Sequence, residues 1–333
     1  MSTFTPSIKR LGTSEQDQLK LGMTLAKEGR FDEALSAFET AIQVNPESVV
    51  AHLAVGNLLF RQQRYPEALT HFETVMQLDP LLPMAPLRAG GAYTRQENYE
   101  KAIECFETAL NLDPQSTMAT VASVGLGQVY IKQQKYDTAI QQFRQALRLN
   151  PQMMMARLML ASALKKQGNL QAAISELKAA INISSEVPVS YLQLGSIYLE
   201  QKNYTKAKNA FETADQLNPK IPAIKFAVKF GLAESLIEEN ELQEAIALLR
   251  QLPENKLYAP RKHKLFGDVY TRQGLVKEAA EEYRAATLLG TSDGLIPDED
   301  IADLQALEEQ DRWEELLESY RSSANAVLEQ PKF

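Results

Sequence analysis

The sequence predicts an all-α protein built from repeated pairs of antiparallel helices, and three observations support this. Large apolar residues recur at helical spacing, as Tyr191, Leu194 and Tyr198 do. Glycine or alanine recurs at fixed places within that pattern, as at Gly195 and Ala207. The combination returns about eight times along 333 residues, which favours a repeat protein over the two domains that length alone suggests.

Residues 188–221 show how one unit forms two helices. Tyr191 begins a first helical face, and Phe211 lies on a second face with the same period. Gly195 and Ala207 bring little side chain to the predicted contact, so the two backbones can pack closely. Pro219 ends the second helix because the residue before a proline disfavours helical geometry. The unit is therefore a helical hairpin of 34 residues.

The same unit is repeated along the chain with two changes of register. Gly22, Gly56 and Gly90 stand 34 residues apart, and the spacing then slips by three residues after the third unit and by four after the sixth. The fifth and seventh units are degenerate, and Pro253 is expected to end the last helix of the seventh unit early. The eight units are predicted near residues 15–48, 49–82, 83–116, 120–153, 154–187, 188–221, 226–259 and 260–293.

These units resemble the tetratricopeptide repeat, whose 34-residue pattern runs Trp-x2-Leu-Gly-x2-Tyr, then Ala-x3-Phe, then Pro. Tyr191 stands where the family often has tryptophan. The resemblance implies a right-handed superhelical solenoid of about eight helix pairs with a C-terminal capping pair. It also implies a concave groove, lined by the first helix of each pair, that holds a peptide or helix of another protein.

The two ends depart from the repeat. Residues 1–14 are predicted to be a disordered lead-in without a secretory signal, and residues 294–333 to be acidic capping helices that start near Pro297 and Arg312. The net charge of −8 comes from the tail after Gly290, which has twelve acidic and three basic residues. This balance argues against nucleic acid as a partner. No run of 18 apolar residues is present, so no membrane insertion is expected and a cytoplasmic location is predicted.

Side chains that carry catalysis or bind metals do not cluster in the sequence. Cys105 is the single cysteine, so no intramolecular disulfide can form, and its place on a second helix predicts a buried or half-buried thiol. His52, His71 and His263 form no metal-ligand motif and are expected on helix surfaces or between repeats. The sequence therefore predicts no catalytic residue, no metal and no cofactor, and the protein is not expected to be an enzyme.

The first helices of repeats two to five predict an apolar groove with a basic margin. The recurrent cation near the end of each helix has two explanations: it binds a partner, or it offsets the helix dipole at a position where the family often has lysine. Repeats six and seven carry Glu200 and Glu238 at that position. The predicted groove residues are Leu53, Asn57, Phe60, Arg61, Met84, Leu87, Arg88, Arg95, Val124, Gln128, Lys132, Met155, Leu158, Met159 and Lys166.

The resemblance does not extend to the carboxylate clamp of the chaperone-binding members of the family. Those members bind a C-terminal carboxylate with Lys, Asn and Arg from three successive first helices. Leu19, Met23 and Ala54 occupy the clamp positions here, and a shift by one repeat recovers only Asn57. Binding of Hsp70 or Hsp90 tails is therefore not expected.

The sequence predicts a non-catalytic scaffold or assembly factor that binds a peptide or helix of a partner protein. The alternative is a regulatory or targeting subunit of a multiprotein enzyme or translocation complex. The acidic tail also has two interpretations. It caps repeat eight, with Trp313 packing against Tyr283 or Leu288, or residues 298–320 compete with the partner for the groove, with Trp313 as an anchor.

Overall fold

The computed structural model describes residues 14–290 and 312–329, and these residues form seventeen α-helices and no strand. The predicted lead-in, apart from Ser14, and the first predicted capping helix lie outside the described residues. The helices are α1 Glu15–Lys27, α2 Phe31–Val44, α3 Val49–Arg61, α4 Tyr65–Leu78, α5 Met84–Arg95, α6 Tyr99–Leu112, α7 Thr117–Lys132, α8 Tyr136–Leu149, α9 Met154–Lys166, α10 Leu170–Ile183, α11 Pro188–Glu200, α12 Tyr204–Gln216, α13 Pro222–Glu238, α14 Leu242–Arg250, α15 Ala259–Gln273, α16 Val276–Gly290 and α17 Trp313–Glu329.

The chain divides into two compact units, an N-terminal unit of residues 1–169 and a C-terminal unit of residues 170–333. Within each unit, every described helix packs against the next one along the chain. The first helices of neighbouring pairs also contact one another, α3 with α5, α5 with α7 and α7 with α9 in the N-terminal unit. This is the layered arrangement that stacked helical hairpins produce, in which each pair contacts only its neighbours.

A glycine on the first helix of most pairs faces an aromatic ring on the second. A β-carbon placed on Gly56 would lie 2.6 Å from the Phe72 ring, and one placed on Gly195 would lie 2.8 Å from the Phe211 ring. Such distances are too short for a carbon–carbon contact, so only glycine lets the buried ring sit against the helix backbone. The close helix contact predicted at Gly195 is confirmed.

The extra residues at the two changes of register lengthen the first helices of the fourth and seventh pairs. Helix α7 has 16 residues and α13 has 17, whereas α3 has 13. Each long helix brings a second glycine against the aromatic ring of the preceding pair: Gly125 meets Phe106, and Gly231 meets Phe211. Both rings are therefore held between two glycines from successive pairs, an arrangement that the sequence analysis missed.

One residue in the left-handed conformation closes the turn inside each pair. The following residue donates its backbone N–H to a carbonyl five residues earlier, as Arg64 does to Leu59 at 2.9 Å, which is the Schellman arrangement at a helix C-terminus. Three of the eight turn residues are glycine, and the other five carry a β-carbon that disfavours this conformation. The turn residues are Gly29, Gln63, Glu97, Gln134, Gly168, Lys202, Asn240 and Gly274.

Helix α14 is short, as the sequence predicts. It has nine residues and ends at Arg250, three residues before Pro253. The connection to α15 is pinned by a buried lysine, because the Lys262 ammonium donates to the Leu252 carbonyl at 3.2 Å and pairs with the Glu254 carboxylate.

The last described helix, α17, packs against α15 and α16. Leu316 and Tyr320 are buried in one cluster with Tyr283 of α16. Trp313 is half-buried against the same cluster, and the Lys277 ammonium lies 4.9 Å from the Trp313 ring centroid. Trp313 therefore lies where the capping interpretation places it, and it is engaged within the C-terminal unit.

A candidate partner-binding cleft

A cleft of about 640 Å³ opens between the first helices of four successive pairs in the N-terminal unit. Phe60 of α3, Ile131 of α7 and Met159 of α9 form its apolar walls. Phe106 and Phe143, the rings that face the contact glycines of α5 and α7, lie at its base. The cleft therefore reaches the hydrophobic core of the unit.

The rim of the cleft is polar and mainly basic. Arg95 and Lys132, both exposed in the last turn of their helices, line it together with Glu97. The Gln128 amide donates to the Met159 sulfur at 3.2 Å, which joins the α7 and α9 sides of the cleft. An apolar base with a few polar groups at the rim is the usual composition of a binding site.

The cleft has open space beside α5 because this helix has no side chain at the position that faces it. A β-carbon placed on Gly91 would meet only the Phe60 ring, at 3.8 Å, an ordinary contact distance. Asn57, Gln128 and Ser162 stand at the equivalent position of α3, α7 and α9, directly after the contact glycine or its alanine substitute. Gly91 therefore leaves space that a side chain fills in the neighbouring helices.

Five of the predicted groove residues line this cleft: Phe60, Arg95, Gln128, Lys132 and Met159. The remaining predicted residues lie elsewhere on the same helices. Asn57 and Met84 are half-buried, and Leu53 and Leu87 are half-buried with their side chains packed against the core. Arg61, Arg88, Met155 and Lys166 are exposed beyond the lining of the cleft.

Two predicted groove residues, Val124 and Leu158, are buried rather than presented at the surface. Each is only 6% exposed. Both stand three residues before the contact glycine or alanine of their helix, the position at which Leu53 and Leu87 pack against the core. This position serves packing in all four helices, so the structure places Val124 and Leu158 in the core and not at the surface of the groove.

Sequence reasoning missed several residues of the cleft. Thr94, Tyr99, Ser162 and Gly91 line it but were not singled out. The adjacent pair Gly90-Gly91 was a signal in the sequence. Because each glycine inside a helix lowers the stability of that helix, a second glycine indicates that the absence of a side chain is needed at that position.

The cations on this surface have few acidic neighbours. Arg95, Lys132 and Lys166 form no ion pair within residues 14–169, and the Arg61 guanidinium lies 4.3 Å from the Phe31 ring centroid instead. In the C-terminal unit, by contrast, Glu238 pairs with Arg272 at 2.7 Å. The exposed charge in the N-terminal unit is available to another molecule.

A second cleft, of about 550 Å³, lies in the C-terminal unit between α13, α15 and α17. Phe230 and Tyr258 line it, and Leu328 of α17 contributes to its wall. Arg261 stacks over Phe230, 5.0 Å from the ring centroid, and pairs with Glu234 at 3.0 Å. The Lys264 ammonium pairs with Asp268 at 2.7 Å, so the charged side chains that line this cleft are paired within the protein.

Within the part of the chain that the structure describes, the titratable side chains show no arrangement typical of catalysis. Burial raises the pKa of the Cys105 thiol to about 11, so the thiolate that acts as a nucleophile is scarce at neutral pH. Among residues 14–290 and 312–329, no group of three or more histidine, cysteine or acidic side chains is placed to hold a metal ion. No helix in these ranges is both long and apolar enough to cross a bilayer.

His52 and His71 form a pair within the second repeat. Their Nδ1 atoms are 2.9 Å apart, and His52 Nε2 lies 3.0 Å from the Pro46 carbonyl. Because Nε2 must donate to the carbonyl, neutral His52 accepts at Nδ1 from His71. His52 is buried, and its contact with Pro46 joins the second repeat to the first, which is the inter-repeat position that the sequence analysis allowed.

Comparisons with known proteins agree with the repeat pattern. Sequence models of the tetratricopeptide repeat match residues 19–83 and 124–188, residues 82–152, and residues 198–257. No curated protein matches the sequence.

Two similar solved structures illustrate the fold. The APC/C hetero-tetramer Cut9–Hcn1 contains a chain that is 18% identical, with a TM-score of 0.58 over 94% of this chain and 57% of that one. The Pseudomonas aeruginosa pilF protein is 19% identical, with a TM-score of 0.54 over 64% of this chain and 95% of that one. At this level of identity the two likenesses show the fold alone.

Proposed function

Because the chain belongs to the tetratricopeptide repeat family, we propose that it is a non-catalytic scaffold that holds a segment of a partner protein in the N-terminal cleft. The observation that carries the proposal is the cleft itself, about 640 Å³ in volume and lined from four successive first helices. This volume lies within the range of about 300–1,000 Å³ that is typical of binding sites.

The composition of the cleft supports a protein partner. Phe60, Ile131 and Met159 offer apolar surface that water solvates poorly, and exposed apolar surface of this kind usually marks an interaction site. Methionine adapts its shape to different partners. A peptide or a helix that lays its side chains across α3, α5, α7 and α9 would cover this surface.

Site-specific photo-crosslinking tests the proposal. A photoreactive phenylalanine analogue placed at Ile131, inside the cleft, should crosslink to a partner in extracts of the source cells. The same analogue at Glu104, exposed on the second helix α6, is the matched control. A partner that crosslinks from Glu104 and not from Ile131 would place the binding surface outside the cleft.

The stoichiometry of the crosslinked species then separates the two roles that the sequence leaves open. A scaffold or assembly factor exchanges its partners, so the yield of crosslinked product should be substoichiometric and should fall when the extract is diluted before irradiation. A regulatory or targeting subunit should instead stay with one partner at a fixed ratio through size-exclusion chromatography.

A further inference from the structure

We propose that the segment bound in the N-terminal cleft is acidic and inserts one large apolar side chain into the space beside Gly91. Acidic residues on either side of that anchor would pair with Arg95 and Lys132 at the rim. This inference rests on the proposed function, since it names the chemistry of the partner for the same cleft.

The space beside Gly91 has the shape of an anchor pocket. The Phe60 ring lies 3.8 Å from the position of a β-carbon on Gly91, and no other heavy atom outside the helix backbone comes within 4 Å. The contact rings of the third and fourth repeats, Phe106 and Phe143, form an apolar base. A leucine or aromatic side chain would cover these surfaces, whereas a small or polar side chain would leave them in contact with water.

The walls of this pocket are held in place by the protein. The Phe60 ring packs edge-on against Tyr65, with centroids 5.3 Å apart. The Met159 sulfur accepts a hydrogen bond from Gln128 at 3.2 Å. A pocket whose walls are already ordered loses little conformational entropy when an anchor enters it.

The charges at the rim select for an acidic partner. Arg95 and Lys132 are exposed and form no ion pair in the part of the chain that the structure describes, and Glu97 is the one carboxylate among the lining residues. A cation near a helix C-terminus also offsets the helix dipole. That effect does not account for the pattern, because Glu200 and Glu238 occupy the same position of α11 and α13 in helices that form equally well.

Selection from a library of random 12-residue peptides displayed on phage, against the immobilised full-length protein, tests the inference. The selected peptides should carry one leucine or aromatic residue with at least two acidic residues close to it in sequence. Their affinity should fall as salt is added, because exposed charge pairs are screened over about 8 Å at physiological ionic strength.

Two sets of variants locate the bound peptides. Gly91→Leu fills the pocket and should weaken binding at least about tenfold, the loss of one buried anchor. Ser196→Leu, which places the same side chain at the equivalent position of α11, is the matched control and should leave binding unchanged. Arg95→Glu combined with Lys132→Glu should weaken binding by about 2–30-fold, the range for two exposed charge pairs.

Circular dichroism must show that Gly91→Leu remains folded. If it does not, Ser162→Leu fills the cleft from α9, where the serine is exposed, and the same loss of binding is expected. Peptides that bind in the cleft but carry no acidic residues would overturn this inference and leave the proposed function standing. An empty selection, or peptides that bind both filled variants normally, would contradict the inference and the proposed function together.

A second copy of the chain is another acidic occupant, since its own tail has twelve acidic residues. Sedimentation equilibrium of the full-length protein decides this point. Self-association that Gly91→Leu abolishes would show that the cleft binds a neighbouring copy, which contradicts a foreign partner.

Discussion

The two units contain the same repeat but differ in how they use the charged residues at the ends of their first helices. In the N-terminal unit Arg95 and Lys132 are exposed at the rim of an open cleft and form no ion pair within residues 14–169. In the C-terminal unit Arg272 pairs with Glu238, and Arg261 pairs with Glu234. Leu328 of the last helix also lines the cleft of that unit.

This difference separates the residues that form the fold from those that determine function. Contact glycines and aromatic rings recur in both units, so they belong to the packing of the helical hairpins and not to a function of one unit. The charges near the ends of the first helices differ between the units, because Arg95 and Lys132 form no ion pair among the described residues whereas Arg272 pairs with Glu238.

The largest effect is expected when the packing of α17 against α16 in the C-terminal unit is weakened. Leu316 is fully buried against α16, so Leu316→Ala should destabilise this unit by about 2–5 kcal/mol, the usual cost of such a cavity. Urea denaturation measures the loss, and hydrogen exchange should rise in α16. Ser322→Ala, on the exposed side of α17, is the control. Equal acceleration of exchange in α3 would show that the two units do not respond separately.

A smaller effect, equal in the two units, is expected at the contact glycines. Gly56→Leu and Gly195→Leu should each cost about 1–3 kcal/mol, because the new side chain overlaps a buried phenylalanine ring that has no room to move. Thermal melting compares them with Gly91→Leu, whose side chain enters the open cleft and should be nearly neutral. A melting midpoint that stays unchanged in Gly195→Leu would show that the ring moves aside.

The turns offer a stabilising change of the same size in both units. Gln134→Gly and Lys202→Gly should each raise the free energy of unfolding by about 0.5–1 kcal/mol. Glycine removes the cost of holding a residue with a β-carbon in the left-handed conformation, and the greater conformational entropy of glycine in the unfolded chain offsets part of this gain. The reverse change, Gly168→Ala, should destabilise the protein. Chemical denaturation midpoints measure all three variants, and a loss of stability in both glycine variants would contradict the strain argument.

The smallest effects concern one histidine in each unit, His71 and His263. Their contributions to stability should depend on pH in opposite directions. Burial, and then the neighbouring His52, hold the pKa of His71 below its usual 6.5. The unfolded chain therefore binds the proton more readily, so this contribution to stability is complete above pH 6.5 and is lost as the pH falls below that value. The Glu282 and Glu254 carboxylates raise the pKa of His263, so its contribution is complete below pH 6.5 and is lost as the pH rises through the raised pKa.

The free energies of unfolding of His71→Gln and His263→Gln are measured from pH 5 to 8 and subtracted from that of the parent protein. The differences isolate the contributions of the two histidines to stability. The difference for His71 should shrink as the pH falls, and the difference for His263 should shrink as the pH rises. Parallel pH dependences for the two variants would contradict this assignment.

The fold could be predicted from the sequence because its determinants are local and repeated. A glycine such as Gly56 in the middle of an apolar helix is unfavourable unless a partner ring needs the space, so its recurrence indicated the helix contact. The register slips could be located but not interpreted. A three-residue insertion fits a longer turn or a longer helix equally well in sequence, and only the structure shows that α7 is lengthened.

The candidate cleft could be predicted only in part. Counting positions along a helix identified Phe60, Lys132 and Met159, which lie in the cleft, but it also selected Val124 and Leu158, which are buried. Whether a side chain at the border between core and groove is exposed or buried depends on how far neighbouring pairs rotate against each other. The spacing of residues within one pair contains no information on that rotation. The ion pair between Glu254 and Lys262 could not be predicted either, because it depends on the conformation of the loop between α14 and α15.

The rings of Phe106 and Phe211, each wedged between glycines from two successive pairs, have a consequence for how the protein responds to force. A stack of hairpins pulled from its ends extends one pair at a time, because each pair contacts only its neighbours. At these two boundaries a single ring contacts both pairs, so the next hairpin cannot detach until the ring leaves the glycine of that hairpin, Gly125 or Gly231. Extension should therefore pause after Phe106 and after Phe211, which divides the chain into segments that resist tension as blocks.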